Sequence, residues 1–155
     1  MIEQAYEDLI KINLLDLRNK SVLIIGAGYI ANEYANALSK LKITDVTIIG
    51  KSKENLRKFK RFPNYEIFSG GYEKNLSKVK KKDLVIIATP IQILVNTTKK
   101  VIENGHDVIL IEKPVSVFKN DLYELEKLVE KQKVRVAYNR FFYPSFHKLK
   151  LLAEK

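Results

Sequence analysis

Cysteine is absent from the 155 residues of this chain, and histidine occurs only twice. Without thiols, the chain can form no disulfide, thiol nucleophile or thiolate metal site. The absence is compatible with a reducing compartment, so we expect a cytoplasmic protein. We expect His106 and His147 to be surface or packing residues rather than catalysts. No carboxylate pair, metal-ligand spacing or serine nucleophile stands out in the sequence, and we therefore expect no metal site.

Long apolar runs are also missing. None approaches the roughly 20 residues that a membrane-spanning helix needs. The first residues, MIEQAYEDLIKI, carry acidic side chains and lack the apolar core of a signal peptide. We therefore expect no membrane partner. A chain of this length is enough for one domain with a hydrophobic core and too short for two ordinary domains.

Acidic residues are scarce relative to basic ones, because 18 Asp and Glu stand against 28 Lys and Arg and leave a formal net charge of +10. Most of the basic residues are lysines, and glutamates lie between them. Basic stretches such as KVKKK at 78–82 are more typical of a solvated surface than of a phosphate-binding track. We expect no nucleic-acid partner, and we expect the positive charge to attract small anionic molecules.

The stretch SVLIIGAGYIA at 21–31 is the most informative part of the sequence. Its first five residues are mostly aliphatic, which is typical of a strand buried on both faces in a parallel sheet. Its last six fit G-x-G-x-x-G/A, and a helical pattern follows. Gly26 would allow a tight turn, and Gly28 would let the backbone approach a pyrophosphate. The helix start, with Tyr29 and Ile30, would offer unpaired N–H groups to the phosphates. The alternative is a structural turn without a ligand.

Strand and helix patterns alternate along the rest of the chain. Further strands are predicted at 45–49, 65–68, 84–88, 107–111 and 134–137. Helices are predicted between them, including 91–104 and a basic helix through Leu76 and Val79. This order predicts an α/β fold, a doubly wound parallel sheet of the Rossmann type in three α/β/α layers. Apolar positions between 2 and 17 predict a further helix, which would pack across the sheet edge or on a partner subunit.

The residues after the second predicted strand bear on cofactor choice. Rossmann units that prefer NAD usually place Asp or Glu about 20 residues beyond the glycines, where it bonds the ribose hydroxyls. This chain has Gly50-Lys51-Ser52-Lys53 there. A carboxylate would repel a 2′-phosphate, whereas Lys51 and Ser52 would attract one, so the sequence favours NADP(H) over NAD. The alternative is a solvated turn in which Ser52 caps a helix.

Three more sequences follow predicted strands: ATP at 88–90, EKP at 112–114 and YNRFFYP at 138–144. Together with GAGYIA, they resemble the N-terminal domain of the Gfo/Idh/MocA family of NAD(P)-dependent oxidoreductases. The resemblance covers about residues 20–147. The EKP triplet, preceded by NGHDV, is its most family-specific piece.

The resemblance implies roles for individual residues. The lysine that matches Lys113 lies beside the nicotinamide and the substrate hydroxyl, as a proton donor, proton acceptor or orienting group. Arg140 matches an arginine that the family often places near the nicotinamide end of the site. The family lines its cofactor with residues that match Ala88, Thr89, Pro90 and Glu112. The implied reaction is hydride transfer between the nicotinamide and a hydroxyl or carbonyl of a sugar-like or nucleotide-sugar substrate.

The sequence departs from the family pattern in two ways. Many members carry a histidine four residues after the proline of the ATP-like triplet, where this chain has Leu94. Members also continue with a second domain that binds the substrate and mediates oligomerisation. We expect a helical extension at 1–19, a dinucleotide-binding domain at 20–147 and the start of a linker or second domain at 148–155. A homo-oligomer would form through the missing domain or the N-terminal helix, and the chain alone is expected to be inactive.

Two other functions remain open at this point. A stand-alone dinucleotide-binding module that senses or regulates would need no Lys113. Methyl transfer from S-adenosylmethionine also uses a glycine-rich first turn, but it gives no reason for the EKP triplet and usually has an acidic residue at the end of the second strand.

Overall fold

The computed structural model describes residues 16–129 and 132–153. Residues 17–137 form one compact unit, and the described residues from 138 onward belong to another. The helix predicted between residues 2 and 17 lies almost entirely outside the described residues. In the second unit, a 3₁₀ turn at Asn139–Phe142 precedes a helix at Pro144–Ala153.

Six parallel strands form a single sheet in the larger unit. They are β1 (Ser21–Ile25), β2 (Asp45–Gly50), β3 (Glu66–Ser69), β4 (Leu84–Ile87), β5 (Val108–Ile111) and β6 (Lys133–Val136). Their order is β3-β2-β1-β4-β5-β6, and each neighbouring pair is parallel. The chain therefore winds outward from β1 in one direction and from β4 in the other. This arrangement confirms the predicted Rossmann-type α/β fold and places its topological switch point between β1 and β4.

Helices cover both faces of this sheet. They are α1 (Tyr29–Lys40), α2 (Lys53–Leu56), α3 (Tyr72–Asn75), α4 (Ile91–Glu103) and α5 (Lys119–Leu128). On β1, Val22 and Ile24 pack with α1 and α2, whereas Leu23 and Ile25 pack with α4 and α5. All four side chains are at most 2% exposed, as the apolar run predicted. Each such side chain contributes about 1.5–3 kcal/mol to folding when it is fully buried.

The prediction of a basic helix through Leu76 and Val79 is wrong, because the observed helix ends at Asn75. The helix α3 lasts one turn and passes into a 3₁₀ turn at Leu76–Lys78, after which Val79 is extended. The side-chain amide of Asn75 donates to the carbonyl oxygens of Ser69 and Gly71, at 2.9 and 2.8 Å. Such bonds between an asparagine and the nearby backbone compete with helix continuation. Val79 instead turns into the core, where it is 7% exposed.

His106 lies just before β5, at the sheet edge opposite the strand C-termini. It is fully buried, and its Nδ1 accepts the backbone N–H of Lys82 at 3.4 Å. Burial, reinforced by the nearby ammonium of Lys81, lowers the pKa of His106 below its usual value. The ring is therefore neutral at pH 7 and packs in the interior, as the sequence led us to expect.

Candidate functional site

The chain turns sharply at Gly26, immediately after β1. Gly26 has a φ of +127°, which disfavours any residue with a side chain. A Cβ atom at this position would lie 2.2 Å from the carbonyl oxygen of Ala88. The Gly26 N–H donates to Ile49 at 2.9 Å, and the Ala88 N–H donates to Ile25 at 2.8 Å. The turn therefore joins the ends of β1, β2 and β4 at the switch point.

Gly28 caps the N-terminus of α1 in an extended conformation, and no described side chain caps the helix. No acidic residue lies in the first turn of α1. A Cβ atom added to Gly28 would meet no atom of the described residues within 4 Å. Among the described residues, the space beside the Gly28 Cα atom is therefore open, next to a helix start whose first N–H groups have no side-chain cap. Tyr29 and Ile30 are exposed beside this space, and Ala31 packs under the helix at 0% exposure.

The end of β2 lies next to the glycine turn. A Cβ atom at Gly50 would lie 2.8 Å from both the Ala27 Cβ and the Leu56 Cδ2 atoms, so position 50 admits no side chain without rearrangement. Lys51 is exposed. The Ser52 Oγ accepts backbone N–H groups of residues 54 and 55, at 3.2 and 3.5 Å, so Ser52 forms the helix cap that the sequence left open as the alternative to a phosphate contact. The hydroxyl proton of Ser52 remains available as a donor to a ligand.

Two basic residues that the sequence pattern did not indicate lie against α1. The Lys58 Nζ donates to the carbonyl oxygen of Gly28 at 3.1 Å. The Arg61 Nη2 donates to the side-chain oxygens of Asn32 and Asn36 at 2.8 and 2.7 Å. Lys58 and Arg61 belong to a 3₁₀ turn, in which residues three apart share one side. The apolar Phe59 between them is the sequence feature that could have indicated this position. Phe59 is fully buried, so positions 58 and 61 point away from the core.

A buried hydroxyl group lies after β4. The Thr89 Oγ1 is buried and has no hydrogen-bond partner among the described residues. Leaving such a group unpaired costs about 1–3 kcal/mol. Its neighbour Ala88 is the residue whose carbonyl faces Gly26, and Pro90 caps α4. The triplet Ala88-Thr89-Pro90 thus places the Thr89 Oγ1 atom, which has no partner among the described residues, beside the glycine turn.

The carboxylate of Glu112, after β5, is bonded through both oxygens. Its Oε1 accepts the hydroxyl proton of Tyr34 at 2.5 Å, and its Oε2 accepts the backbone N–H of Lys113 at 3.2 Å. The backbone N–H of Glu112 donates to the carbonyl oxygen of Ile87 at 3.0 Å, and this bond joins the end of β5 to β4. Burial and the hydrogen bond to Glu112 raise the pKa of Tyr34 well above its usual value. Lys113 is exposed, and its peptide bond to Pro114 is cis.

The structure brings most of the predicted site residues to one edge of the sheet. They follow the C-terminal ends of four parallel strands, β1, β2, β4 and β5. Arg140 is the exception, because it lies in the 3₁₀ turn of the second unit. Its role therefore stays a prediction from the family resemblance.

The described residues contain no candidate metal site and no candidate membrane helix. Within residues 16–129 and 132–153, no group of three or more His, Asp or Glu side chains is arranged to hold a metal ion. In the same part of the chain, no helix has the length and apolar character needed to cross a membrane.

Residues 20–140 match the sequence profile of the Gfo/Idh/MocA oxidoreductase family, over its NAD-binding Rossmann fold. The chain belongs to this family. Its Gfo/Idh/MocA match covers most of the larger unit, including the glycine turn and the ATP and EKP triplets. The chain therefore carries the NAD(P)-binding domain of an oxidoreductase family. No curated protein sequence matches it significantly.

Solved structures share the fold of this Gfo/Idh/MocA domain. Scyllo-inositol dehydrogenase from Lactobacillus casei, with bound NAD(H) and scyllo-inositol, has a TM-score of 0.75 at 16% identity, over 87% of this chain and 41% of its own. Biliverdin reductase from Synechocystis sp. PCC 6803, with biliverdin and NADP+, has a TM-score of 0.72 at 20% identity, over 87% and 43%. A 3-ketoreductase from Actinomadura kijaniata, with TDP-benzene and NADP, has a TM-score of 0.72 at 19% identity, over 87% and 42%. The chain thus spans less than half the length of each of these proteins.

Proposed function

We propose that this chain binds NADP(H) at the C-terminal edge of its sheet and presents the nicotinamide for reaction with a sugar-like or nucleotide-sugar substrate. The observation that carries the proposal is the open space in front of Gly28 at the start of α1. A pyrophosphate placed there would meet unpaired N–H groups and the positive end of the helix dipole. The orphaned Thr89 hydroxyl, beside the same turn, would gain a polar partner from the ligand.

When bound, the nicotinamide would supply hydride transfer, and the residues of this chain would bind and orient it. Lys51 and Ser52 would hold the 2′-phosphate at the end of β2. The first turn of α1 would hold the pyrophosphate, and the residues after β4 and β5 would line the nicotinamide half. This order follows from the general position of dinucleotides across a Rossmann switch point.

Lys113 is the residue that we propose for proton handling. In oxidation, its amine would take the hydroxyl proton of the substrate as the hydride leaves the carbon atom, and in reduction it would return that proton. Its side chain is exposed in the described structure. A substrate domain would therefore have to close over it to exclude water. The relatives of known structure are more than twice as long as this chain, which supports such a domain in the whole protein.

The cofactor preference can be tested with the chain alone. We expect NADPH to bind about five- to hundredfold more tightly than NADH, because a charged contact to the 2′-phosphate contributes about 1–3 kcal/mol. Calorimetric titration of both cofactors measures the ratio. Lys51→Ala should reduce the preference, whereas Lys80→Ala, an exposed lysine that precedes β4 at the opposite edge, should leave it unchanged. Equal affinities would contradict the preference, and binding of neither cofactor would contradict the proposed function itself.

Turnover by the 155-residue chain is expected to be negligible, even with cofactor bound. A nicotinamide on this domain would face solvent, with no walls to orient a substrate or exclude water. The measurement is nicotinamide absorbance during incubation with a panel of inositols, sugars and nucleotide sugars. Rapid, substrate-dependent oxidation or reduction by the purified chain would show that no second domain is required.

A further inference from the structure

Helix α1 contacts both halves of the candidate site. Its N-terminus opens on the space at Gly28, and its second turn carries Tyr34. The Tyr34 hydroxyl reaches across to Glu112, which is 78 positions later in the chain, and donates to Oε1 at 2.5 Å. The other carboxylate oxygen accepts the backbone N–H of Lys113 at 3.2 Å. The carboxylate thus lies between helix α1 and the main chain of the EKP triplet.

The protonation state of Tyr34 suits a permanent donor. Burial, with the adjacent carboxylate, raises the pKa of its hydroxyl well above the ordinary value, so the proton stays on Tyr34 throughout the neutral range. A hydroxyl that donates to a charged carboxylate forms a short and strong hydrogen bond. Glu112 is only partly exposed, so it cannot replace this partner with water at no cost.

We propose that Tyr34 is a positioning residue for the nicotinamide half of the cofactor, acting through Glu112. A dinucleotide in a Rossmann fold places one half over each half of the sheet, and β5 belongs to the half that begins at β4. The bond from Tyr34 fixes the Glu112 carboxylate and, through it, the Lys113 backbone. One helix would then set the distance between the phosphate position and the EKP triplet. The inference rests on the proposed dinucleotide function.

Tyr65 provides a matched control. Its hydroxyl also donates to helix α1, at 3.3 Å from the carbonyl oxygen of Ala35, and it is also partly buried. Its ring stacks on Phe62, with the centroids 4.7 Å apart, and it precedes β3 rather than following a strand of the site. Tyr65→Phe therefore removes the same atom and a bond to the same helix without touching Glu112.

The test compares two ligands on the chain as it stands. NADPH occupies both halves of the site, whereas 2′-phosphoadenosine 5′-diphosphate lacks the nicotinamide half. We expect Tyr34→Phe to weaken the binding of NADPH about three- to tenfold, as the loss of one net hydrogen bond predicts. The affinity for the shorter ligand should change by less than about twofold. Tyr65→Phe should leave both affinities within about twofold. Thermal unfolding of each variant reports its effect on the fold.

A second comparison uses Glu112→Leu, which removes the acceptor that Tyr34 contacts. In that background, Tyr34→Phe should change NADPH affinity by less than about twofold, because the coupled partner is already altered. The double variant leaves no unpaired carboxylate, so it stays informative if Tyr34→Phe alone fails to fold. An undiminished effect in this background overturns the proposal.

Two other results would also overturn it. If Tyr34→Phe lowers the affinity for both ligands equally, the hydroxyl only supports the fold. If the NADPH affinity is unchanged, the hydroxyl has no part in the site. If the unaltered chain binds the shorter ligand but not NADPH, the nicotinamide half of the proposed site is wrong. If it binds neither, the proposed function fails, and this inference fails with it.

Discussion

Changing Lys113 to alanine, in a whole protein that includes a substrate domain, is expected to lower turnover by about 10²–10⁴-fold, the range typical of a general acid–base group. The fold should not suffer. Lys113 follows the end of β5, and its side chain is exposed rather than part of the core. Substitutions at such sites usually change the free energy of unfolding by less than about 0.5 kcal/mol. The melting temperature and most of the NADPH affinity should therefore be retained.

The measurements are the steady-state rate, the melting temperature and NADPH titration. Lys113→Arg should restore little activity, because a guanidinium group is bulkier and does not release its proton at neutral pH. Lys80→Ala, which removes an exposed lysine at the other edge of the sheet, should keep the parental rate. A Lys113→Ala variant that unfolds, or that turns over at the parental rate, would leave the enzyme proposal without its main residue. The second outcome would favour a binding module without catalysis.

Alanine at Gly26 and alanine at Gly28 are expected to fail in different ways. At Gly26, the new Cβ atom would lie 2.2 Å from the Ala88 carbonyl oxygen, at a φ of +127°. The conformational strain alone costs about 1–3 kcal/mol, and the clash with the backbone adds to it. The free energy of unfolding should therefore fall by about 3 kcal/mol or more. Dinucleotide binding should be lost along with the fold.

At Gly28, the new methyl group meets no atom within 4 Å in the part of the chain that the structure describes, and the φ of −78° suits any residue. The loss of stability should stay near 1 kcal/mol, because alanine is a poorer helix cap than glycine. The methyl group would nevertheless occupy the space proposed for the pyrophosphate, so we expect at least a tenfold loss of affinity, about 1.4 kcal/mol. Thermal unfolding and calorimetric titration of the two variants separate these effects. Unimpaired binding by Gly28→Ala would show that the phosphates lie elsewhere.

The sequence was sufficient for the fold because its strands are unambiguous. SVLII is aliphatic after its first residue and LVIIA is apolar throughout, and each is followed by a turn signal, which is typical of strands buried on two faces. The observed strand boundaries still differ from the predicted ones by a residue, as at β6, which begins at Lys133 rather than at the predicted Val134. The Ser52 cap, which the sequence offered as the alternative to a phosphate contact, depends on residues only two and three positions away.

Contacts between distant residues could not be read in the same way. Tyr34 fits the apolar spacing of α1, and nothing local indicates that its hydroxyl meets a carboxylate at position 112. The contact of Lys58 with Gly28 likewise depends on how the 3₁₀ turn packs beside α1. The Thr89 hydroxyl has no partner among the described residues, and this depends on surroundings that exist only in the folded chain. Sequence patterns therefore located the strand ends but not the polar contacts between them.

The crowding at Gly50 has a practical consequence for protein engineering. A designer who wished to convert the proposed cofactor preference would look for a place to install an aspartate at the end of β2. Position 50 does not accept a side chain without rearrangement, because a new Cβ atom would lie too close to the Ala27 Cβ atom and to the Leu56 side chain. The exposed position of Lys51 is open. A library aimed at NADH should therefore vary residue 51 and its neighbour Ser52, and keep the glycine before them fixed.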